Sequence, residues 1–398
     1  MKSQSERDRP IRIPPFLAGG FRPFFLGGAL WAATVVVLWV LAFTGRIILP
    51  SAFDALAWHR HEMLFGYLAG VVAGFLLTAI PNWTGRSPVN GQRLAALAAL
   101  WVLARMAVLF SAWTGPLIAA ALDIGFLAVL TIVAVHEIVI ARNRNVPIGL
   151  ALAALTLADV LDYAELAGLT VPSGLGWRLG FALVLLMVVL IGGRIIPVFT
   201  TNWLKKQGEG FKLPAQAGRF DQATVFLTAL ALLDWAAASQ HRVSAALLIT
   251  AGVLQAVCLA RWHGWQTWRE PLVLILHVAY AWLPLGLLLL GGTRFVWCIP
   301  QSSAVHALGA GAMASMTLAV MTRATLGHTG HALRADRSTI AIYVLVTLGA
   351  ILRFAAPMLN ADYTTTITVA GLLWVSAFLL FTAAYGPKLI SPRIDSKS

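Results

Sequence analysis

Long apolar stretches follow one another along this chain with only short polar breaks between them. Windows of about 20 apolar residues fall near 24–44, 56–80, 93–112, 116–140, 147–167, 177–200, 220–239, 243–262, 271–291, 302–322, 338–357 and 364–385. Each is long enough to cross the hydrocarbon layer as a helix, which satisfies its own backbone hydrogen bonds there. The pattern predicts an all-α, polytopic transmembrane bundle of twelve helices. The longest break, Thr201 to Arg219, is basic and carries Gly and Pro. No extramembrane domain fits, so 1–398 reads as a single integral membrane domain with short tails, 1–22 and 386–398.

A weak internal period runs through the same pattern. Asn82-Trp83 closes the second window and Asn202-Trp203 follows the sixth, 120 residues on, and a further 120 reaches Thr322 at the end of the tenth. His61…Gly66…Thr84-Gly85 and His306…Gly311…Thr329-Gly330 also keep the same internal spacings. Three pseudo-repeats of four helices would explain both.

Composition agrees: 59% of residues are apolar and only 11% charged, against about 25% charged in a soluble domain. The net charge of +13 lies mostly in the breaks. Taking alternate sides, 21 Lys and Arg fall on the side of both termini, including Lys2, Arg7, Arg9, Arg12 and Lys397. Five fall on the other, namely Arg46, Arg60, Arg178, Arg242 and Arg294. By the positive-inside rule both termini are cytoplasmic, and the basic balance speaks of anionic lipid rather than nucleic acid. Cys258 and Cys298 then lie toward opposite faces, so a disulfide between them is not expected. Met1 to Arg22 is polar and Arg-rich, without the pattern of a removable signal peptide.

Ionisable residues within the apolar windows carry the chemistry, because each is costly there without a partner or a metal. Trp58-His59-Arg60-His61-Glu62 heads the second window. His59 and His61, two residues apart on a helix, point to nearly opposite sides and would serve different centres. His61 and His306 lie at similar depth on two outside-to-inside helices, as the two axial ligands of a six-coordinate haem require. Taken singly, each is equally explained by a hydrogen bond to a helix carbonyl. Asp159, Asp162 and Glu165 recur every three residues on the fifth window, with Arg105 and Asp123 at comparable depth. They suit either a proton path from the outer surface or a buried ion pair locking the bundle. Glu62, Asp159, Asp162, Glu165 and Arg105 are thus the candidates for catalytic proton handling. Arg60 and Arg105 are also candidates to pair with haem propionates. His277 is the most deeply intramembrane histidine. His328 and His331, three apart beside glycines, fit a metal site on a helix or a solvated loop.

The segments His59-Arg60-His61-Glu62-Met63-Leu64-Phe65-Gly66, Asn82-Trp83-Thr84-Gly85, Gly193-Arg194-Ile195-Ile196-Pro197, Leu276-His277…Trp282-Leu283-Pro284 and His306 to Gly330 resemble the NnrS family. The resemblance covers essentially the whole chain. It implies a bacterial inner-membrane protein of about twelve spans, tied to nitric oxide metabolism and nitrosative stress, containing haem and copper. More distantly the chain resembles the core subunit of haem-copper oxidases and nitric oxide reductases, with haem ligands on the second and tenth spans. That superfamily holds its second metal with histidines on spans six and seven, and here those windows have none.

Together these features lead to the expectation of an inner-membrane haem b protein that binds and reduces nitric oxide, fed by a quinol or another electron donor. His61 and His306 are the expected axial ligands. His59 and His277 are candidates for a second haem or for copper, and His328 is a candidate ligand of a second metal. Two histidine ligands fill both axial positions, so nitric oxide must displace one or meet a second centre. The alternatives are a transporter of haem, metal or a nitrogen oxide, and a haem-binding response protein without turnover.

Overall fold

The computed structural model describes residues 13–296 and 300–394; Lys2, Arg7, Arg9, Arg12, Lys397 and Cys298 lie outside them. Twelve long helices follow in order: α1 Phe21–Phe43, α2 Ala55–Thr84, α3 Gly91–Leu109, α4 Pro116–Ile140, α5 Val146–Leu166 and α6 Leu175–Gln207. Then come α7 Arg219–Ala238, α8 Arg242–Arg261, α9 Pro271–Gly292, α10 Gln301–His328, α11 Arg337–Ala355 and α12 Tyr363–Ile390. No strand occurs among the described residues. Eleven of these helices are long and apolar enough to cross a membrane. The remaining one, α7, has membrane length but carries Arg219, Asp221 and Asp234.

Local chemistry sets where the helices begin and end. Asp54 accepts from the Leu56 and Ala57 N–H groups at 2.9 Å and starts α2. Asp336 and Asp362 do the same for α11 and α12, and Pro116 and Pro271 occupy first helical positions in α4 and α9. Each device satisfies or removes an N–H that no helical carbonyl can reach. At their far ends α2 and α10 stop at Gly85 (φ 69°) and Gly330 (φ 80°), left-handed positions that favour glycine.

Burial separates centre from rim. In the most apolar window, 72% of α2, 67% of α9 and α10 and 61% of α6 is buried, against 33% of α4 and α12. The rim presents large apolar side chains such as Leu117, Ile132, Leu150 and Phe226, each at least 66% exposed. Water would penalise such a surface and a bilayer does not. Sequential helices pack as neighbours, α12 returns against α1, and α6 touches both α2 and α10.

Two π-helical segments interrupt the central helices, Glu62–Leu68 in α2 and Ala307–Met313 in α10. Each begins directly after a histidine, His61 or His306, and each has glycine, Gly66 or Gly311, as its fifth residue. The spacing shared by these two stretches is therefore a shared backbone shape. α6 has no such segment, so the likeness among the three units is strongest between the first and the third.

Candidate functional site

Between α1, α2, α6, α10, α11 and α12 lies an apolar cavity of about 410 Å³, within the ~300–1,000 Å³ usual for a bound organic cofactor. Residues of α2 at helical spacing, His59, Met63 and Tyr67, form one wall, and His306, Gly309 and Met313 of α10 form another. The His59 ring stacks on Trp39, with centroids 4.5 Å apart at 27°. The His306 Nδ1–H donates to the Ser302 carbonyl at 2.7 Å. A carbonyl can only accept, so Nδ1 holds the proton and Nε2 keeps its lone pair for a ligand. Arg60, over the Trp177 ring at 5.2 Å, and Arg353 bring two guanidinium groups to the same cavity.

His61 is elsewhere. It shares α2 with His59 but faces the opposite side, where it is fully buried among charged groups. Its Nε2 meets Asp123 at 2.7 Å and its Nδ1 meets Asp162 at 2.9 Å. Arg105 pairs with Asp123 and donates to Glu62 at 2.8 Å, while the Trp31 indole donates to the same Glu62 oxygen at 2.6 Å. Asp159 is also fully buried beside them, and neither of its carboxylate oxygens has a hydrogen-bond partner. Trp101 donates to the Gly66 carbonyl at 3.0 Å, satisfying a backbone group within the π segment.

The expected pairing of His61 with His306 is thus corrected: the residue that shares a cavity with His306 is His59. Two residues of offset on a helix reverse the side, so His61 cannot join its neighbour there. Arg105 is likewise not placed to meet a propionate, because Glu62 and Asp123 hold its guanidinium. Arg353, which the sequence reading passed over, stands beside Arg60 instead. An arginine inside an apolar window was the signal that could have found it.

The remaining candidates are dispersed. Asp162 and Glu165 line a second, polar cavity of about 490 Å³ with Asp54, Ser173 and Arg178, and this cavity shares Arg60 and Trp177 with the first. Glu165 also accepts from Ser173 Oγ and the Gly174 N–H at 2.8 and 2.7 Å, tying the α5–α6 turn. Glu62, Arg105 and Asp159 line neither cavity. His277 meets Thr200 at 2.8 Å, and His328 packs on Phe21 near the Gly330 end of α10. His331 Nδ1 bonds to the Thr329 hydroxyl at 2.8 Å.

A haem fits the first cavity by the chemistry of its walls. His59 Nδ1, Arg60 Nε and Arg353 Nη1 are buried without hydrogen-bond partners, an arrangement that costs free energy unless a ligand supplies acceptors. Gly309 leaves room on the α10 wall, since a Cβ there would meet only Phe181, at 3.5 Å. Copper(I) finds no three-ligand group of soft donors among the described residues. Among the described residues, one group of three His, Cys, Asp or Glu ligands converges, His61 with Asp123 and Asp159. One imidazole and two carboxylates lack the soft donors that select copper(I).

A comparison with curated proteins finds no match. The profile of the NnrS protein family matches residues 15–393, nearly the whole chain. The chain therefore belongs to the NnrS family, membrane proteins of the nitric oxide response.

Proposed function

We propose that this protein is a haem-binding enzyme of the bacterial inner membrane that reduces nitric oxide in defence against nitrosative stress. The observation that carries the reading is the apolar cavity lined by both His59 and His306, with Arg60 and Arg353 on the same lining. His59 and His306 would hold haem b iron, and the two arginines would pair with its propionates. Bound there, the haem would supply redox chemistry at its iron, and nitric oxide would bind in place of one of the two imidazoles.

The overall change consumes two NO, two electrons and two protons and yields N2O and water. Electrons come from a quinol or another donor. Protons enter by the polar cavity, whose wall carries Asp162 and Glu165 and abuts the haem cavity at Arg60 and Trp177. The stacked Trp39 and the Ser302 carbonyl fix the two imidazole rings before any ligand arrives, which lowers the cost of binding. The carrier reading has less support. A carrier of this kind uses discontinuous helices around its site, whereas α2 and α10 stay helical from 55 to 84 and from 301 to 328.

The test is a nitric oxide electrode with purified protein and a reduced quinol analogue, together with gas analysis. Consumption of NO with N2O appearing at half its rate, lost in His306→Ala, is the expected result. Pigmented protein that binds NO but consumes none would make it a response protein without turnover.

A further inference from the structure

We propose that His61, Asp123 and Asp159 form a binding site for a divalent cation of the Mn2+, Fe2+ and Zn2+ class, separate from the haem cavity. One ligand atom from each of these three buried residues lies within 4.8 Å of the others. Ligands on opposite sides of one ion, with bonds of about 2.2 Å, are roughly 4.4 Å apart, so little movement is needed. His61 Nε2 and the Asp123 oxygen, 2.7 Å apart in a hydrogen bond, need to separate only to about 3.1 Å to become adjacent ligands of a single ion with bonds of about 2.2 Å.

Three features point to a cation rather than to a self-contained ion pair. Asp159 contributes two buried oxygens with no partner, one of them within 4.8 Å of the ligand atoms of His61 and Asp123. An unpaired carboxylate in that position is strongly unfavourable until it meets a cation or a proton. Four carboxylates lie close together here, with Arg105 pairing only Glu62 and Asp123, Asp162 bonding to His61, and Asp159 grouped with His61 and Asp123. Ionised, they leave a negative excess that a divalent ion reduces. Finally, Asp162 takes the other ring nitrogen of His61 at 2.9 Å. A carboxylate behind a histidine in this way fixes the ring so that Nε2 presents its lone pair to a metal. Arg105 similarly holds Asp123 from behind. Oxygen and imidazole donors without sulfur favour harder divalent ions over copper(I).

The site lies behind the polar cavity: Asp162, which bonds to His61, lines that cavity and is 12% exposed. The test uses the full-length protein in detergent after chelator treatment, titrated with Mn2+ while the free-ion EPR signal is followed, with Zn2+ content measured in parallel. One Mn2+ or Zn2+ per chain is expected. Asp159→Asn, which keeps the shape and removes the charge, should abolish uptake. Asp162→Asn should weaken it by about 10- to 100-fold. Wild-type protein that takes up neither ion overturns the proposal, as does equal uptake by Asp159→Asn, or a site that accepts copper but not Mn2+ or Zn2+. If Asp159→Asn does not fold, the wild-type titration and Asp162→Asn decide alone. None of these readouts depends on haem, so loss of the haem assignment would leave them unaffected.

Discussion

At the residue scale, two histidines one position apart from Arg60 on either side do different work. His59 faces an apolar cavity and His61 a charged cluster. That the two diverge was legible from their spacing, since a helix turns about 200° in two residues. Which of them meets His306 was not. Equal depth and equal spacing to glycine equate His61 with His306 as repeat positions, but repeat-related residues face equivalent neighbours rather than each other. The cluster around Arg105 was legible as buried charge, and Asp123 was named within it; Trp31, which donates to Glu62, and Trp101, which donates to the Gly66 carbonyl, carry no sequence signal that separates them from interface aromatics. Arg105→Leu should leave Glu62 and Asp123 buried without their cation. The expected cost is about 3–5 kcal/mol, read as a fall in the thermal midpoint of the detergent-solubilised protein. A midpoint like that of the wild type would mean the pair contributes nothing. Gly309→Leu should fill the cavity wall and exclude haem while the helix content in circular dichroism is kept.

At the element scale, the π segments widen α2 and α10 just after His61 and His306. A π turn accommodates one extra residue, so removing one lets it close to an α turn while the helix downstream keeps its place. Deleting Leu64 should therefore draw in the α2 backbone beside the cavity and lower haem retention. Full retention would show that the widened turn has no part in shaping the site. The matching spacings in α2 and α10 were legible, but the π form was not, because nothing in either seven-residue composition distinguishes it from an α-helix. Helix ends were easier, since Asp54, Asp336 and Asp362 are ordinary capping residues. In the loop before α11, the Thr339 hydroxyl and N–H hold the Asp336 carboxyl below the usual carboxylate range. Its cap is complete above the unfolded value of about 3.9 and is lost as pH falls through the lowered one. Asp336→Ala should cost about 1 kcal/mol at neutral pH, a deficit in thermal midpoint that narrows as the medium is acidified below that range.

At the scale of the whole molecule, nearly every helix was legible, because bilayer length and polar breaks are strong signals. The weakest was α7, whose three charges dilute its apolar character. The cavity itself was not legible: it is built by six helices distant in sequence, and periodicity says nothing of which faces meet. By the positive-inside rule, the asymmetry of Lys and Arg between alternate breaks predicts that both ends of the chain are cytoplasmic. A green fluorescent protein fused to the C-terminus should fluoresce, and alkaline phosphatase fused there should be inactive; the reverse pair of results would invert the bundle and put the polar cavity on the cytoplasmic side.

The assignment of His59 and His306 to the haem is tested most directly by reduced-minus-oxidised optical spectra of four purified proteins: wild type, His59→Ala, His61→Ala and His306→Ala. A b-type spectrum in the wild type and in His61→Ala, absent or greatly reduced in His59→Ala and His306→Ala, is predicted. Loss in His61→Ala with retention in His59→Ala, or a wild-type protein that binds no haem, would contradict it.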